Sequence, residues 1–338
     1  MTTSKRWVLQ RRPRGEIKPG DLALVEEPIR DLADGEVLVR TLYLSLDPTN
    51  RIWMSDQDQY MPPVQIGETM RGGGIGVVER SRSDAFKQGD VVNPGLTGWS
   101  THSIVQGAGV SPVPAIPGVP LTAYMSVLGG TGLTGYFGMT DICRPQPGET
   151  VVVSAAAGAV GSIVGQIAKI KGCRVIGVAG GPQKCAWLKD HLGFDEAVDY
   201  KAGDVRRQLR ALAPDGVNVY FDNTGGDIFE AALFNMANHG RIVCCGAVSQ
   251  YDDVPPPHGP RGVPGLIVTK RLKVQGFVVM DFYDGPNGKA AALAELQAWV
   301  AAGKIKVQED VIDGLENLPA ALIGLLAGEN RGKRMVRV

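Results

Sequence analysis

Apolar and polar positions alternate in short runs over the first third of the chain and then change character. Residues 36–44 (EVLVRTLYL) alternate as a strand with one buried face does. Residues 74–79 (GIGVVE) and 90–93 (DVVN) are further short strands, separated by turn residues. The pair Gly89–Asp90 and the run 112–120, with four prolines, punctuate this part. Residues 1–125 therefore read as mostly β, in the manner of a small barrel.

After Pro145 the strands lose their alternation. Continuous apolar runs at 150–154, 174–179 (RVIGVA), 217–222 (VNVYFD), 240–246 (GRIVCCG) and 272–279 (LKVQGFVV) read as buried strands. Helical spacing fills the gaps at 159–171, 183–191, 204–212 and 229–236, with a further helix at 290–302. Strands and helices in alternation predict a parallel sheet covered on both faces. The end of the chain, 335–338 (MVRV), reads as a strand that returns to pair with the first domain. The uncharged stretch 150–168 has the length of a membrane span, but its glycines and serines fit a buried strand followed by a buried helix better.

Composition narrows the function classes. Of 338 residues, 44% are apolar and 21% charged, which is ordinary globular usage. Lys plus Arg is 35 and Asp plus Glu is 35, so no charge excess points to nucleic acid or an anionic membrane. Gly, at 45 residues and without a period of three, fits many tight turns and close approaches of backbone to a ligand. The cysteines Cys143, Cys173, Cys185, Cys244 and Cys245 contain no C-x-x-C, and one pair is adjacent. That argues for a reducing, cytoplasmic compartment rather than a disulfide framework. Met1 to Arg14 is polar and basic with no apolar core, so no secretory signal is expected.

The chemistry concentrates at 151–166 (VVVSAAAGAVGSIVGQ), where a strand turns into a helix. Against the pattern G-x-G-x-x-G, Ala156, Gly158 and Gly161 fall on the three glycine positions. Gly158 lets the backbone approach a pyrophosphate, Gly161 allows tight helix–strand packing, and the helix N-terminus offers N–H groups to the phosphate. An ordinary buried turn with small residues would carry the same letters. The strand–helix–strand context favours a dinucleotide site. Where an NAD site places a carboxylate after the second strand, this chain reads Ala179-Gly180-Gly181-Pro182-Gln183-Lys184. No carboxylate is there to repel a 2′-phosphate, and Lys184 offers a positive charge, so NADPH is expected over NADH.

No metal site emerges. The histidines His102, His191, His239 and His258 are scattered, and none stands beside a cysteine. Cys244 and Cys245 are neighbours in a predicted strand, so their side chains face opposite ways. There is no nucleophile elbow and no Walker A loop.

Several words of the sequence together resemble one family. They are 42–48 (LYLSLDP), 72–76 (GGGIG), 130–138 (GTGLTGYFG), 147–150 (PGET), 155–166 (AAAGAVGSIVGQ), 192–195 (LGFD), 221–226 (FDNTGG) and 328–333 (GENRGK). In this order they resemble the zinc-independent medium-chain dehydrogenase/reductases. The branch is that of the leukotriene hydroxydehydrogenases, or prostaglandin and alkenal double-bond reductases, including the curcumin-reductase type. The resemblance implies an α/β chain with a GroES-like β-barrel catalytic domain at 1–128 and 310–338. A doubly wound Rossmann domain that binds NADPH would occupy 129–309. It implies a homodimer and a small enone or enal as substrate. It places Gly158, Ala159, Val160 and Gly161 at the pyrophosphate, and Lys184 and Tyr200 at the 2′-phosphate. Asn223, Cys245, Gly246, Ala247, Val248, Ser249, Tyr251, Phe277, Val278, Val279 and Asn330 are implied as further cofactor contacts. Gly67 and Glu68 stand without the histidine that holds zinc in related alcohol dehydrogenases. Many members read Asp-Pro-Tyr-Met-Arg where this chain reads Asp47-Pro48-Thr49-Asn50-Arg51, so Thr49 replaces a tyrosine near the substrate.

The implied reaction is reduction of a carbon–carbon double bond conjugated to a carbonyl. Hydride goes to the β-carbon and charge collects on the carbonyl oxygen as an enolate, which hydrogen-bond donors can stabilise without a metal. A proton then reaches the α-carbon. By resemblance Tyr251 is the first donor candidate and Tyr60 the second, against half-buried packing roles for both. Pro255–Pro257 are expected to wall the pocket, and Trp53 and Trp99 to pack. Two other functions are compatible with the same residues: a zinc-free NADPH quinone reductase, and an NADPH-binding protein with little catalysis.

Overall fold

A computed structural model describes residues 2–57, 59–251 and 259–338. The chain opens with an antiparallel ribbon of β1 (Thr3–Leu9) and β2 (Leu22–Pro28). β3 (Glu36–Ser45) then pairs antiparallel with β4 (Gly74–Ser81), and the single short helix α1 (Thr49–Trp53) sits in the connection. β5 (Val91–Asn93), β6 (His102–Gln106) and β7 (Ser111–Pro112) complete the barrel-like part, β6 pairing with β3 and β5 lying between β4 and β7. The expected strands at 36–44, 74–79 and 90–93 are all present. β1 and β6 carry charges or polar residues at most positions and escape a reading based on apolar runs; β2 (LALVEEP) has only a four-residue apolar start before Glu-Glu-Pro. Trp53 and Trp99 are 7% and 0% exposed within this part's core, so both pack as expected.

The chain then passes through α2 (Gly130–Phe137) into a parallel sheet. The sheet's strands are β8 (Thr150–Val153), β9 (Arg174–Ala179), β10 (Glu196–Asp199), β11 (Val217–Asp222), β12 (Met236–Cys244) and β13 (Lys273–Gly276). Their order is β10-β9-β8-β11-β12-β13, so the winding reverses between β8 and β11. α3 (Ala159–Ile170), α4 (Pro182–Asp190), α5 (Val205–Leu212), α6 (Gly226–Asn235), α7 (Gly265–Lys270) and α8 (Lys289–Ala301) cover it. Two apolar cores lie against the sheet. Val151, Val153 and Val175 point into one and Val152, Ile176 and Val178 into the other, the period of two expected of strands covered on both sides. α2 was not expected, because GTGLTGYF has poor helix formers. Its glycines serve packing instead: a Cβ on Gly135 would sit 3.3 Å from Val164 of α3.

One expected element is shorter than read. The run 272–279 forms a strand only over Lys273–Gly276, and Val279–Phe282 turns into a 3₁₀ segment. β13 is exposed along its length rather than buried, because it is the last strand of the sheet and, among the described residues, has a neighbour on one side only. The chain closes through β14 (Glu309–Asp313), α9 (Leu318–Leu326) and β15 (Lys333–Arg337). β15 pairs antiparallel with β3, Met335 opposite Ser45, so the chain does return to its first part. Lys333, 1% exposed, donates to Leu46 O at 2.9 Å and forms an ion pair with Asp47. Among the described residues no helix is long and apolar enough to cross a membrane.

Candidate functional site

The reversal of strand order puts a crevice beyond the carboxyl ends of β8 and β11, the place where open α/β sheets bind ligands. The turn after β8 is tight. Ala155 has φ +46°, and its carbonyl accepts from Gly158 N at 2.9 Å. The left-handed residue is thus Ala155 and not Ala156, whose N–H instead bonds Val178 O of β9 at 3.0 Å. That is why the first glycine of the pattern is dispensable here. Gly158 caps α3 in an extended conformation. Ala159, Val160 and Gly161 open the helix, where N–H groups have no intrahelical acceptor. A Cβ on Gly161 would fall 2.4 Å from Ala155 O, so helix and turn touch only because no side chain intervenes.

At the end of β9 the Tyr200 ring covers Gly180, where a Cβ would meet its hydroxyl at 2.8 Å. Lys184 Nζ donates to Gly328 O at 2.5 Å. Burial, and then the charges of Lys201, Arg334 and Arg331, pull the Lys184 ammonium below its usual range. The stretch after β9 has no carboxylate of its own, but the fold brings one. Asp199 Oδ1, at the end of β10, accepts from Gly181 N at 2.8 Å and Lys201 N at 2.9 Å.

The other end of the crevice is built on Asp222, 2% exposed at the end of β11. Its Oδ1 accepts from Tyr220 OH at 2.7 Å, Ser154 Oγ at 3.0 Å, Thr224 N at 3.1 Å and Gly225 N at 3.1 Å. Ser154 Oγ in turn accepts from Asn223 N at 2.8 Å, and Asn223 Nδ2 donates to Ser154 O at 2.8 Å. This network ties the ends of β8 and β11 together and orients Asn223. The FDNTGG word is visible in the sequence, but Ser154 and Asp222 as its framework are not, because they meet only where β8 and β11 lie side by side. The loop after β12 hangs on the same residues: Cys245 N and Gly246 N donate to Asp222 O, Val248 N to Asn223 O, and Ser249 N to Thr224 O.

Of the two candidate tyrosines, Tyr251 belongs to this end. Tyr251 Oη accepts from Ala247 N at 3.1 Å, which leaves its proton free to be donated. Burial pushes its phenol up, so it stays protonated at neutral pH, and Tyr60 is close enough to add to that electrostatically. Tyr60, half exposed, is likewise pushed up by burial; Trp53, Thr49, Asp47 and Arg71 surround it. Thr49, the substitute for the family tyrosine, therefore stands beside the second donor candidate. A cleft of about 390 Å³ opens at Tyr251, lined also by Cys244, Gly246, Phe229, Gln250 and Pro260. Burial pushes the Cys244 and Cys245 thiols up to about 11 and about 12, so neither is a thiolate. Phe277 packs on Phe282 at 5.9 Å, with Val278 extended and Val279 opening the 3₁₀ turn that follows. Asn330, 5% exposed, donates Nδ2 to Gly332 O at 2.8 Å. The expected wall at Pro255–Pro257, and His258, lie outside the described residues.

The structure gathers the sequence-picked residues into two groups. Lys184 and Tyr200 stand at β9; Asn223 and the 245–251 loop with Tyr251 stand at β11 and β12, while Tyr60 comes from the first part of the chain, beside Trp53 and Thr49. β9 and β12 are three strand spacings apart, about 14 Å, with the glycine turn between them. Open helix N–H groups in the middle, cations at one end and a half-buried cleft at the other fit a phosphorylated dinucleotide laid across the strand ends. Among the described residues no group of three or more His, Cys, Asp or Glu is placed to hold a metal ion.

Known proteins place this geometry. Residues 5–113 match the family described as N-terminal domain of oxidoreductase, and residues 159–297 the family described as zinc-binding dehydrogenase. The chain is 44% identical to prostaglandin reductase 1 of Bos taurus over 340 residues, covering 100% of both chains. It is 42% identical to the NADPH-dependent curcumin reductase of Escherichia coli over 338 residues, covering 99% of this chain and 97% of that one. The crystal structure of CurA from Vibrio vulnificus in complex with NADPH superposes with a TM-score of 0.93 at 42% identity, over 99% of each chain. The chain accordingly belongs to the zinc-independent medium-chain dehydrogenase/reductases, as an NADPH-dependent oxidoreductase of the curcumin and prostaglandin reductase type.

Proposed function

We propose that this protein reduces the carbon–carbon double bond of α,β-unsaturated ketones or aldehydes, 2-alkenals included. Bound NADPH supplies the hydride, which the substrate accepts at its β-carbon. The observation that carries the reading is Tyr251: a protonated, half-buried phenol whose oxygen already accepts from Ala247 N. Its O–H remains available to donate, and the developing enolate oxygen is the acceptor that needs a donor. Tyr60, beside Thr49 and near enough to act on Tyr251 electrostatically, is the second donor. Gly158 to Gly161 hold the pyrophosphate, Lys184 and Tyr200 the 2′-phosphate. Asn223, Cys245 to Ser249, Tyr251, Phe277 to Val279 and Asn330 hold the nicotinamide half.

We also read residues 1–128 with 310–338 as the catalytic domain and 129–309 as the NADPH-binding domain. The start of β14 in the barrel sheet at Glu309 supports the second boundary. We propose a homodimer that joins β13 edges, and a cytoplasmic location, supported by five cysteines without a bridge among them. The test of the reaction is NADPH oxidation over alkenals, alkenones, aryl enones and quinones. Turnover of enones and enals with a saturated carbonyl product is expected. A profile confined to quinones, or tight NADPH binding without turnover on any of them, overturns it.

A further inference from the structure

Three cations from separate stretches of chain converge at the β9 end of the crevice. Lys201 and Arg331 both act on the half-buried ammonium of Lys184. Lys201 also lies 5.9 Å from the centre of the Tyr200 ring. The carboxylates nearby are taken up elsewhere. Asp310 and Glu329 pair with Arg334 at 2.8 and 3.4 Å. Asp199 turns an oxygen to the backbone N–H groups of Gly181 and Lys201. Arg331 itself is exposed and forms no hydrogen bond or ion pair among the described residues.

The backbone under Arg331 is fixed on both sides. Asn330, buried, donates to Gly332 O. Gly332 N donates to Ala157 O at 2.8 Å, and Gly332 forms a parallel bridge with Gly158 of the glycine turn. No other residue fits there: a Cβ on Gly332 would fall 2.1 Å from Gln308 O. Arg331 is therefore a guanidinium on a rigid mount, beside the phosphate-binding turn, among like charges and without a counter-charge. Such a cluster is unfavourable until an anion joins it.

We propose that Arg331 and Lys201 complete, with Lys184, a three-cation pocket for the 2′-phosphate of NADPH. This rests on the NADPH reading of the crevice. A phosphate dianion suits it because a guanidinium binds two of its oxygens at once and the two ammonium groups add point charge. Arg331 carries this recognition from the stretch that leads into β15, so the last part of the chain, and not only the Rossmann part, reads which cofactor is bound.

The experiment is equilibrium binding by calorimetry on the full-length wild type, Arg331→Gln and Arg331→Lys, with NADPH, NADH, 2′,5′-ADP and 5′-AMP. Arg331→Gln should weaken NADPH and 2′,5′-ADP by about tenfold and leave NADH and 5′-AMP within about twofold. Arg331→Lys should recover part of the loss. Lys201→Gln should show the same selectivity with a smaller effect. An equal loss for NADPH and NADH, or no loss for 2′,5′-ADP, overturns the proposal. Wild-type protein that binds NADPH no tighter than NADH overturns the NADPH reading instead, so the two failures are told apart.

Discussion

Tyr251 and Lys184 show how much a single side chain carries here. The Tyr251 hydroxyl is held to its own loop by Ala247 N, and its O–H is left for chemistry. Tyr251→Phe keeps the apolar body and removes the donor. Turnover on enones should fall about tenfold, below the 10²–10³ typical of a lost oxyanion donor, because a cofactor ribose hydroxyl can share the role. NADPH affinity should hold. Steady-state kinetics beside direct binding check this, and unaltered turnover would pass the role to Tyr60. Lys184→Ala should weaken NADPH binding by about 1–3 kcal/mol and hardly touch NADH. Fluorescence titration with both cofactors decides it, and equal losses would remove Lys184 from the 2′-phosphate.

Among the elements, β8 and β11 matter most, since the crevice lies where their neighbours diverge. Asp222 holds their ends together through donors from Ser154, Tyr220, Thr224 and Gly225. Asp222→Asn trades one acceptor oxygen for an NH₂ that faces donors. The change should destabilise the fold by about 1–3 kcal/mol and loosen Asn223. Denaturant unfolding reads the first effect and NADPH affinity the second; stability and affinity both equal to wild type would mean the network is incidental. The elements that the sequence hid are polar edge strands such as β6 and the glycine-rich α2. Their apolar periodicity is weak because packing by backbone contact replaces packing by side chains.

At the scale of the molecule, two features join distant parts. β15 returns to β3, and Lys333 anchors the loop after β3 through Asp47 and Leu46 O. Burial raises the Asp47 carboxyl, but Lys333 beside it wins and the net shift is downward. Lys333→Met leaves that carboxylate without its partner. Because Asp47 is 39% exposed, the expected cost is about 2–3 kcal/mol, short of a fully buried pair. Thermal unfolding measures it. The second feature is β13, an exposed edge strand with Val274 40% exposed. An uncapped edge invites pairing with a second copy about a two-fold axis. Light scattering at micromolar concentration should give twice the chain mass, and Val274→Pro should shift it toward the monomer.

The strands at 150–154, 174–179 and 217–222, the helix at 159–171 and the glycine turn between them were legible in the sequence, because burial on both faces of a parallel sheet writes itself as local apolar runs. Lys184 was legible because it follows a readable strand at a short fixed distance, whereas Tyr200 follows β10, which has no apolar run, and only the family resemblance pointed to it. The tertiary structure alone decided what meets whom across the sheet. Ser154 reaches Asp222, Asp199 reaches Gly181, and Gly332 lies on Gly158. These partners are far apart in the chain, and their meeting depends on strand order and on the return of β15. Periodicity records which face of an element is buried, not which element covers it, so a site assembled at the ends of several strands becomes visible only when the sheet is closed.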